Sequence, residues 1–336
     1  MYHSHDKARC LAYDGANFQR PAMLDILAIT SPIYIIVLAG YLATRFGVFE
    51  KADMRVFGKF VLNFALPALI FNALAQRHIR EVLHPAYLLA YLGGSLLMLT
   101  LAYAGGRRLG GLSRTRSTFL AMGVSCSNSS FMGFPILLLM VAPVAGVALA
   151  LNVIVENLVM LPLLLAMAES ARGGGGTWRE VVAQSLTRLA RNPLVLSVTA
   201  GLIVSLAEIQ LPQPLLRSVT LFSQASGGLS LFTIGGTLVG LSLSTGWQRV
   251  LPVVVGKLVG HPLAVMLVVS LLPLIGVAPM EPSLRAAALL MAAMPMLSIY
   301  PILAQAYGEA DRSATTLLIC MVTSFFTLSA WMWLLR

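Results

Sequence analysis

Charge is what this sequence has least of. Only 11% of its 336 residues are Asp, Glu, Lys or Arg, against about 25% in an ordinary soluble domain. That excludes a water-soluble globule, which would have too little polar surface to cover itself. Acids are scarcer than bases, 13 against 23, and the +10 balance invites a nucleic-acid reading. The distribution excludes it, because Lys and Arg sit in short loops between apolar runs, where such residues orient a membrane protein. Cysteines number three, Cys10, Cys126 and Cys320. The count is odd, two lie in apolar runs and no Cys/His metal spacing exists, so neither a disulfide framework nor a metal site is expected. The phosphate-cradling GxxxxGK[ST] and the metalloprotease HExxH are both missing, so no ATP-driven motor and no enzyme is expected, and no cofactor. No signal peptide is evident, since the first apolar stretch lacks a small-residue cleavage site before the next span.

Hydrophobic residues are abundant, at 58%, with a mean hydropathy of +0.83. Residues 117–155, 218–248, 258–280, 286–308 and 313–335 carry no charged side chain. A helix needs about 20 apolar residues to cross a bilayer core, so these runs imply repeated crossings. Lipid offers the backbone no hydrogen-bond partner, which makes the crossings helical. The pattern predicts ten spans: 23–45, 56–76, 85–106, 117–140, 144–168, 193–209, 213–241, 247–273, 284–307 and 312–334. With these spans 15 Lys and Arg fall on one side and 8 on the other. The positive-inside rule makes the 15-charge side cytoplasmic and leaves both termini outside, in a multi-pass protein of the plasma (inner) membrane.

The chain divides at its longest internal loop. Residues 169–192 contain Gly173-Gly174-Gly175-Gly176, followed by Trp178, Val181, Val182, Leu186, Leu189 and Ala190 at helical spacing opposite Arg179, Gln184, Arg188 and Arg191. This reads as an amphipathic helix on the cytoplasmic membrane face. It separates a first five-helix repeat, 23–168, from a second, 193–336. Residues 1–22 are polar and aperiodic, and read as a disordered outer tail or as a stretch upstream of a start at Met23. Phe134-Pro135-Ile136-Leu137 in span four matches Tyr300-Pro301-Ile302-Leu303 in span nine at an offset of 166 residues. Five spans per half is odd, so the second half must be inserted upside down. Interrupted helices at matching places in inverted repeats point to a transporter's binding site.

The segment Ser125-Cys126-Ser127-Asn128-Ser129-Ser130-Phe131-Met132-Gly133-Phe134-Pro135 puts small polar side chains, a glycine and a proline at mid-span. Helicity is expected to break just before Pro135, because proline removes a donor and clashes with the preceding turn. The second half answers with Met294-Pro295-Met296-Leu297-Ser298-Ile299-Tyr300-Pro301. Two broken helices meeting at mid-membrane would aim unpaired N–H groups and positive dipole ends at an anion. Ser127, Asn128, Ser129, Gly133, Pro135, Pro295, Ser298, Tyr300 and Pro301 are therefore the candidate substrate-binding residues. The plain alternative is that Pro and Ser only kink packed helices.

Glu156 lies in span five, where a carboxylate costs on the order of 3 kcal/mol unless protonated or paired, and so marks function by default. It is the first candidate for proton coupling, against a structural hydrogen bond to a neighbouring helix. Lys257 and His261 lie four apart on one face of span eight and are the further ion-coupling candidates. Their plain readings are a snorkelling lysine and a neutral packing histidine. Gly236–Gly240 and Gly256–Gly260 read as helix-packing pairs. Asn128-Ser129-Ser130 matches the glycosylation triplet but lies inside a span.

Several stretches resemble a known family. Asn63-Phe64-Ala65-Leu66-Pro67-Ala68-Leu69-Ile70-Phe71, Arg191-Asn192-Pro193-Leu194, Ile234-Gly235-Gly236-Thr237-Leu238 and the run from Met294-Pro295 to Tyr307 are similar, in order and spacing, to the auxin efflux carrier family of membrane transport proteins. The resemblance covers residues 23–335. It implies a ten-helix, five-plus-five inverted-repeat fold like that of bile acid:sodium symporters, with helices four and nine crossing. It also implies transport of organic anions such as malonate, malate or auxin-like carboxylates. The family's crossover residues map onto Asn128 to Pro135 and Pro295 to Pro301. The long hydrophilic loop of plant members is replaced here by 24 residues, which points to a bacterial-type member. No acidic pair matches a sodium site. The expectation is a secondary carrier of a small carboxylate, coupled to protons and working by alternating access, with a homodimer as a possible assembly. The alternatives are a passive anion channel and a membrane-embedded ligand sensor.

Overall fold

The structure, a computed structural model, describes residues 23–77, 83–171, Thr187, 190–240, 247–305 and 307–335. The N-terminal tail and most of the expected amphipathic helix lie outside them. The described residues form helices and no strand. In chain order these are α1 (Met23–Arg45), α2 (Lys51–Ala75), α3 (Pro85–Arg108), α4 (Arg114–Met140), α5 (Ala142–Ala171), α6 (Pro193–Leu206) and α7 (Gln213–Thr237). After them come α8 (Trp247–Val255, resuming over His261–Leu271), α9 in two pieces (Pro282–Ala293 and Tyr300–Gln305) and α10 (Ala310–Leu334). Among the described residues six helices are long and apolar enough to cross a membrane: α2 to α5, Val250–Ile275 of α8 and Arg312–Leu334 of α10. Ser31–Arg45, α6 and the first piece of α9 are shorter apolar helices. Leu101, Leu139, Ile203, Leu221 and Phe326 face outward, each exposed. Such a surface is unsuited to water and suited to acyl chains.

Packing sets helices distant in sequence side by side. α1 lies along α7, and α2 packs on α6 and α7; α3 packs on α4 and α8, and α8 on α9 and α10. The α1–α7 contact is backbone to backbone. A Cβ on Gly40 would stand 2.0 Å from the Phe232 carbonyl oxygen, and one on Gly235 1.8 Å from that of Val37. Small residues permit this approach where no hydrophobic force draws helices together. Gly240 does not share that role. It lies beyond the end of α7 with φ +73°, so it is a turn residue and not one of a packing pair.

Four helices loosen into a π turn, at Val61–Ala65, Ser129–Gly133, Val155–Met160 and Gly256–Gly260. Each is succeeded at once by one residue and then a proline: Pro67, Pro135, Pro162 and Pro262. Proline cannot donate to the fourth carbonyl back and its ring collides with it, so the turn before it widens. Such turns gather at functional sites. Here they hold Ser129, Glu156 and Lys257.

Candidate functional site

The α4 interruption begins with an ordinary helix. Ser113 caps it by accepting from the Arg116 amide at 3.2 Å, and the helix runs to Ser125. Cys126 is extended (φ −109°, ψ 138°) and Asn128 lies at φ −82°, ψ 59° before the π turn. Helicity therefore fails at residues 126–128, not just before Pro135, which sits in the first turn of the next helical piece. The Phe131 carbonyl, which Pro135 cannot satisfy, lies 3.1 Å from the Ser230 hydroxyl on α7 and shares that hydroxyl's one proton with the Gly227 carbonyl at 2.9 Å. α9 stops at Ala293, Met294 is extended, and Pro301 opens the helical piece beyond it. The two interruptions touch. The Asn128 amide donates to the Pro295 carbonyl at 2.8 Å, and its side-chain Nδ2 donates to Ser298 Oγ at 2.6 Å.

Behind this contact lies a buried polar cluster drawn from α3, α4, α5, α8 and α9. Glu156 Oε1 accepts from the Ser127 amide at 3.0 Å, the Ser129 hydroxyl at 3.0 Å and the Tyr91 hydroxyl at 3.1 Å. Asn152, one turn earlier on α5, donates to Ser129 Oγ at 3.0 Å and accepts from the Tyr87 hydroxyl at 2.8 Å. Lys257 is 0% exposed, so it does not snorkel. Its ammonium has three protons and meets three acceptors: Ser127 Oγ at 2.7 Å, the Ala292 carbonyl at 2.7 Å and His261 Nδ1 at 2.8 Å. An ammonium can only donate, so His261 accepts at Nδ1 and gives its Nε2 proton to Ser95 Oγ, 2.9 Å away. The histidine is thus neutral. Ser127 joins the two charges, holding Glu156 by its amide and Lys257 by its hydroxyl.

The bare amides expected at the crossover are in part taken. Ser127 N–H serves Glu156 and Asn128 N–H serves Pro295. The anion resting on the start of the α4 π turn is the chain's own carboxylate. Of the expected residues, Ser127 and Ser129 join Glu156, Lys257 and His261, while Asn128, Pro295 and Ser298 form the contact between the breaks. Gly133 is packing, since a Cβ there would lie 2.5 Å from Met291 Sδ. Tyr300 is elsewhere. Its hydroxyl donates to the Phe119 carbonyl at 3.0 Å and its ring lies beside Phe119, because the second piece of α9 turns it toward the start of α4. Pro135 and Pro301 shape the backbone. Among the described residues no group of three His, Cys, Asp or Glu could hold a metal ion.

A family described as "Membrane transport protein" matches residues 26–332. The chain belongs to that family. It is the one the α2, α6, α7 and α9 stretches resemble, and it makes this a member of a membrane transporter family. Similar proteins include one from Rhizobium meliloti (strain 1021) named "Putative malonate transporter", 28% identical over 316 residues, covering 94% of this chain and 97% of that one. Another is "Uncharacterized transporter YfdV" of Escherichia coli (strain K12), 24% identical over 217 residues, 62% of this chain and 67% of that one.

In this family member the residues that sequence reasoning missed are Tyr87, Tyr91, Ser95 and Asn152. A signal for them exists. Tyr87, Tyr91 and Ser95 are spaced by four, as are Asn152 and Glu156, and Lys257 and His261. In a chain this apolar, such spacing puts each polar set on one helix face.

Proposed function

We propose that this membrane transport protein is a secondary carrier of a small carboxylate, with Glu156 as its proton-binding group. The observation that carries the reading is that Glu156 already occupies donors a substrate carboxylate would use: the Ser127 amide, the Ser129 hydroxyl and, through Ser127, the Lys257 ammonium. While Glu156 is ionised it competes with the guest. Once it takes a proton, those donors turn to the guest carboxylate, and Asn128 Nδ2 and Ser298 Oγ lie close by for its other polar atoms.

Charge balance favours the same step. The empty cluster carries one carboxylate and one ammonium; with a protonated Glu156 and one guest carboxylate in its place the cluster again sums to zero, the second carboxylate of a dicarboxylate lying toward Asn128 and Ser298. A moving core that keeps net charge near zero avoids the cost of carrying an unpaired ion through a low-dielectric interior. The carboxylate substrate is supported by the name of the Rhizobium relative and by this donor set.

The architecture we propose is ten crossings in two inverted halves, 23–168 and 193–336, in the inner membrane with both termini outside. The 166-residue offset supports it, since Ser95 and His261, separated by that number, touch each other. Residues at equivalent places meet where a pseudo-twofold axis passes. The group of α1, α2, α6 and α7 is the scaffold against which α3 to α5 and α8 to α10 move. The test is uptake of labelled malonate into proteoliposomes under an imposed pH gradient. Saturable accumulation against the malonate gradient is expected. Flux that only runs down that gradient would make the protein a channel, and binding without flux would make it a sensor.

A further inference from the structure

The cluster leaves one large feature of the molecule unused. A slot of about 820 Å³ runs between α3, the first half of α4 and α8, lined by Leu101, Leu109, Leu120 and Val124 with Arg116 and Arg312 beside them. Its volume lies in the ~300–1,000 Å³ range of sites that take small molecules. Arg116, Leu120 and Val124 succeed one another every four residues along one face of α4, a run of about 12 Å at 1.5 Å per residue. The slot is therefore cationic at the end near the Arg107, Arg108 and Arg114 loop and apolar along its depth. Leu101 and Leu109, at its rim, are 58% and 92% exposed on the outward, acyl-facing surface. Arg116 gives its Nε to Glu309 at 2.7 Å and its side chain stays 55% exposed.

We infer that this slot binds an anionic phospholipid from the leaflet that the arginine-rich loops face, with the phosphate on Arg116 and Arg312 and an acyl chain along α4. The occupant is set by two properties held together. A small dicarboxylate would meet the arginines but gain nothing from a deep wall without hydrogen-bond partners, and moving its charge there is costly. A zwitterionic lipid would fill the wall but bring a cation to the arginines. Guanidinium suits phosphate in geometry as well as sign, and basic pockets between membrane helices take anionic head groups. Among the described residues Glu309 pairs with Arg116, and Arg107, Arg108 and Arg114 on the adjoining loop, which carries no acid between 107 and 116, keep this end basic. The inner end of the slot has a consequence for the carrier. Gly256, which opens the π turn holding Lys257, lines the slot beside Val124, two residues from Cys126. A lipid seated there braces α8 against α4 directly behind the coupling cluster.

The site stands apart from the carrier reading and is tested without transport. The full chain is purified, and lipids retained on it are compared by native mass spectrometry after exposure to equal phosphatidylglycerol and phosphatidylcholine. Wild type is expected to keep phosphatidylglycerol in preference, with the preference falling about fivefold for each arginine removed in Arg116→Gln and Arg312→Gln. Gly105→Phe fills the slot, since a Cβ at Gly105 meets nothing within 4 Å, and is expected to lose both lipids there while melting as wild type does. If that variant does not fold, Arg312→Gln decides. Equal retention of the two lipids by wild type, or a preference unchanged in Arg312→Gln, overturns the proposal. So does displacement of the bound lipid by inorganic phosphate at matched ionic strength, which would mean an anion site without an acyl slot.

Discussion

Removing the Glu156 carboxylate separates a competitor from a mere hydrogen-bond partner. If the guest binds only when Glu156 carries a proton, its apparent dissociation constant is the intrinsic one divided by the protonated fraction. Above the group's titration point that fraction falls about tenfold per pH unit, so wild-type malonate affinity weakens by up to about a hundredfold across two units. Glu156→Ala has nothing to titrate and vacates the Ser127 amide, Ser129 hydroxyl and Tyr91 hydroxyl. Its affinity is expected to be flat over the same range and to match the low-pH wild type, while proton-driven accumulation disappears. The variant also leaves Lys257 without its counter-charge, a loss on the order of 3–5 kcal/mol in stability for one partner of a buried pair. Binding is therefore measured by thermal shift against malonate on the purified variant, alongside uptake in proteoliposomes. Glu156→Gln keeps an acceptor oxygen and is expected to flatten the profile at an intermediate affinity. A tenfold-per-unit slope surviving in Glu156→Ala would refute the competition argument, because the titrating group would then be another one.

Single contacts carry the other expectations. Asn128→Ala removes the Ser298 contact and is expected to abolish malonate uptake at normal membrane abundance; wild-type flux would remove the crossover from the site. Lys257→Met is expected to lose transport and stability, with Glu156→Gln added to it restoring part of the melting temperature; the double-mutant cycle should give a coupling of about 0.5–3 kcal/mol, and strict additivity would deny that the two charges are linked through Ser127. Gly235→Ala drives a methyl into the Val37 carbonyl and is expected to cost about 1–3 kcal/mol by overpacking, read as a lowered melting temperature; an unchanged one would mean α1 and α7 separate readily.

The helical class, the placing of the apolar runs and the location of both interruptions were legible in the chain. They depend on local chemistry: hydropathy, charge-free length and proline. Glu156 was legible too, since an acid among Asn152, Val153, Ile154, Val155 and Asn157 stands out by its cost alone. The partners of Glu156 were not. Tyr91 and Ser127 come from helices distant in sequence; Ser127 stood out only as a candidate substrate ligand at the break, and nothing local ties either residue to Glu156.

The start of the break was misplaced for a related reason. Pro135 marks that a helix is disturbed, but the non-helical backbone lies at residues 126–128, where the Ser127 and Asn128 amides reach Glu156 and Pro295, partners distant in sequence. Each π turn also rotates the helix beyond it by about 100° relative to an unbroken one, so a face assigned by counting fours is reliable only up to the widened turn. By itself, then, the sequence determined that this chain lives in a membrane as interrupted helices with one costly acid and one costly lysine between them. Tertiary structure alone decided that these two share a serine, and that the donors at the break are held by the protein's own carboxylate, because rotation about helix axes and the close α1–α7 and α3–α8 contacts are settled between segments and not within them.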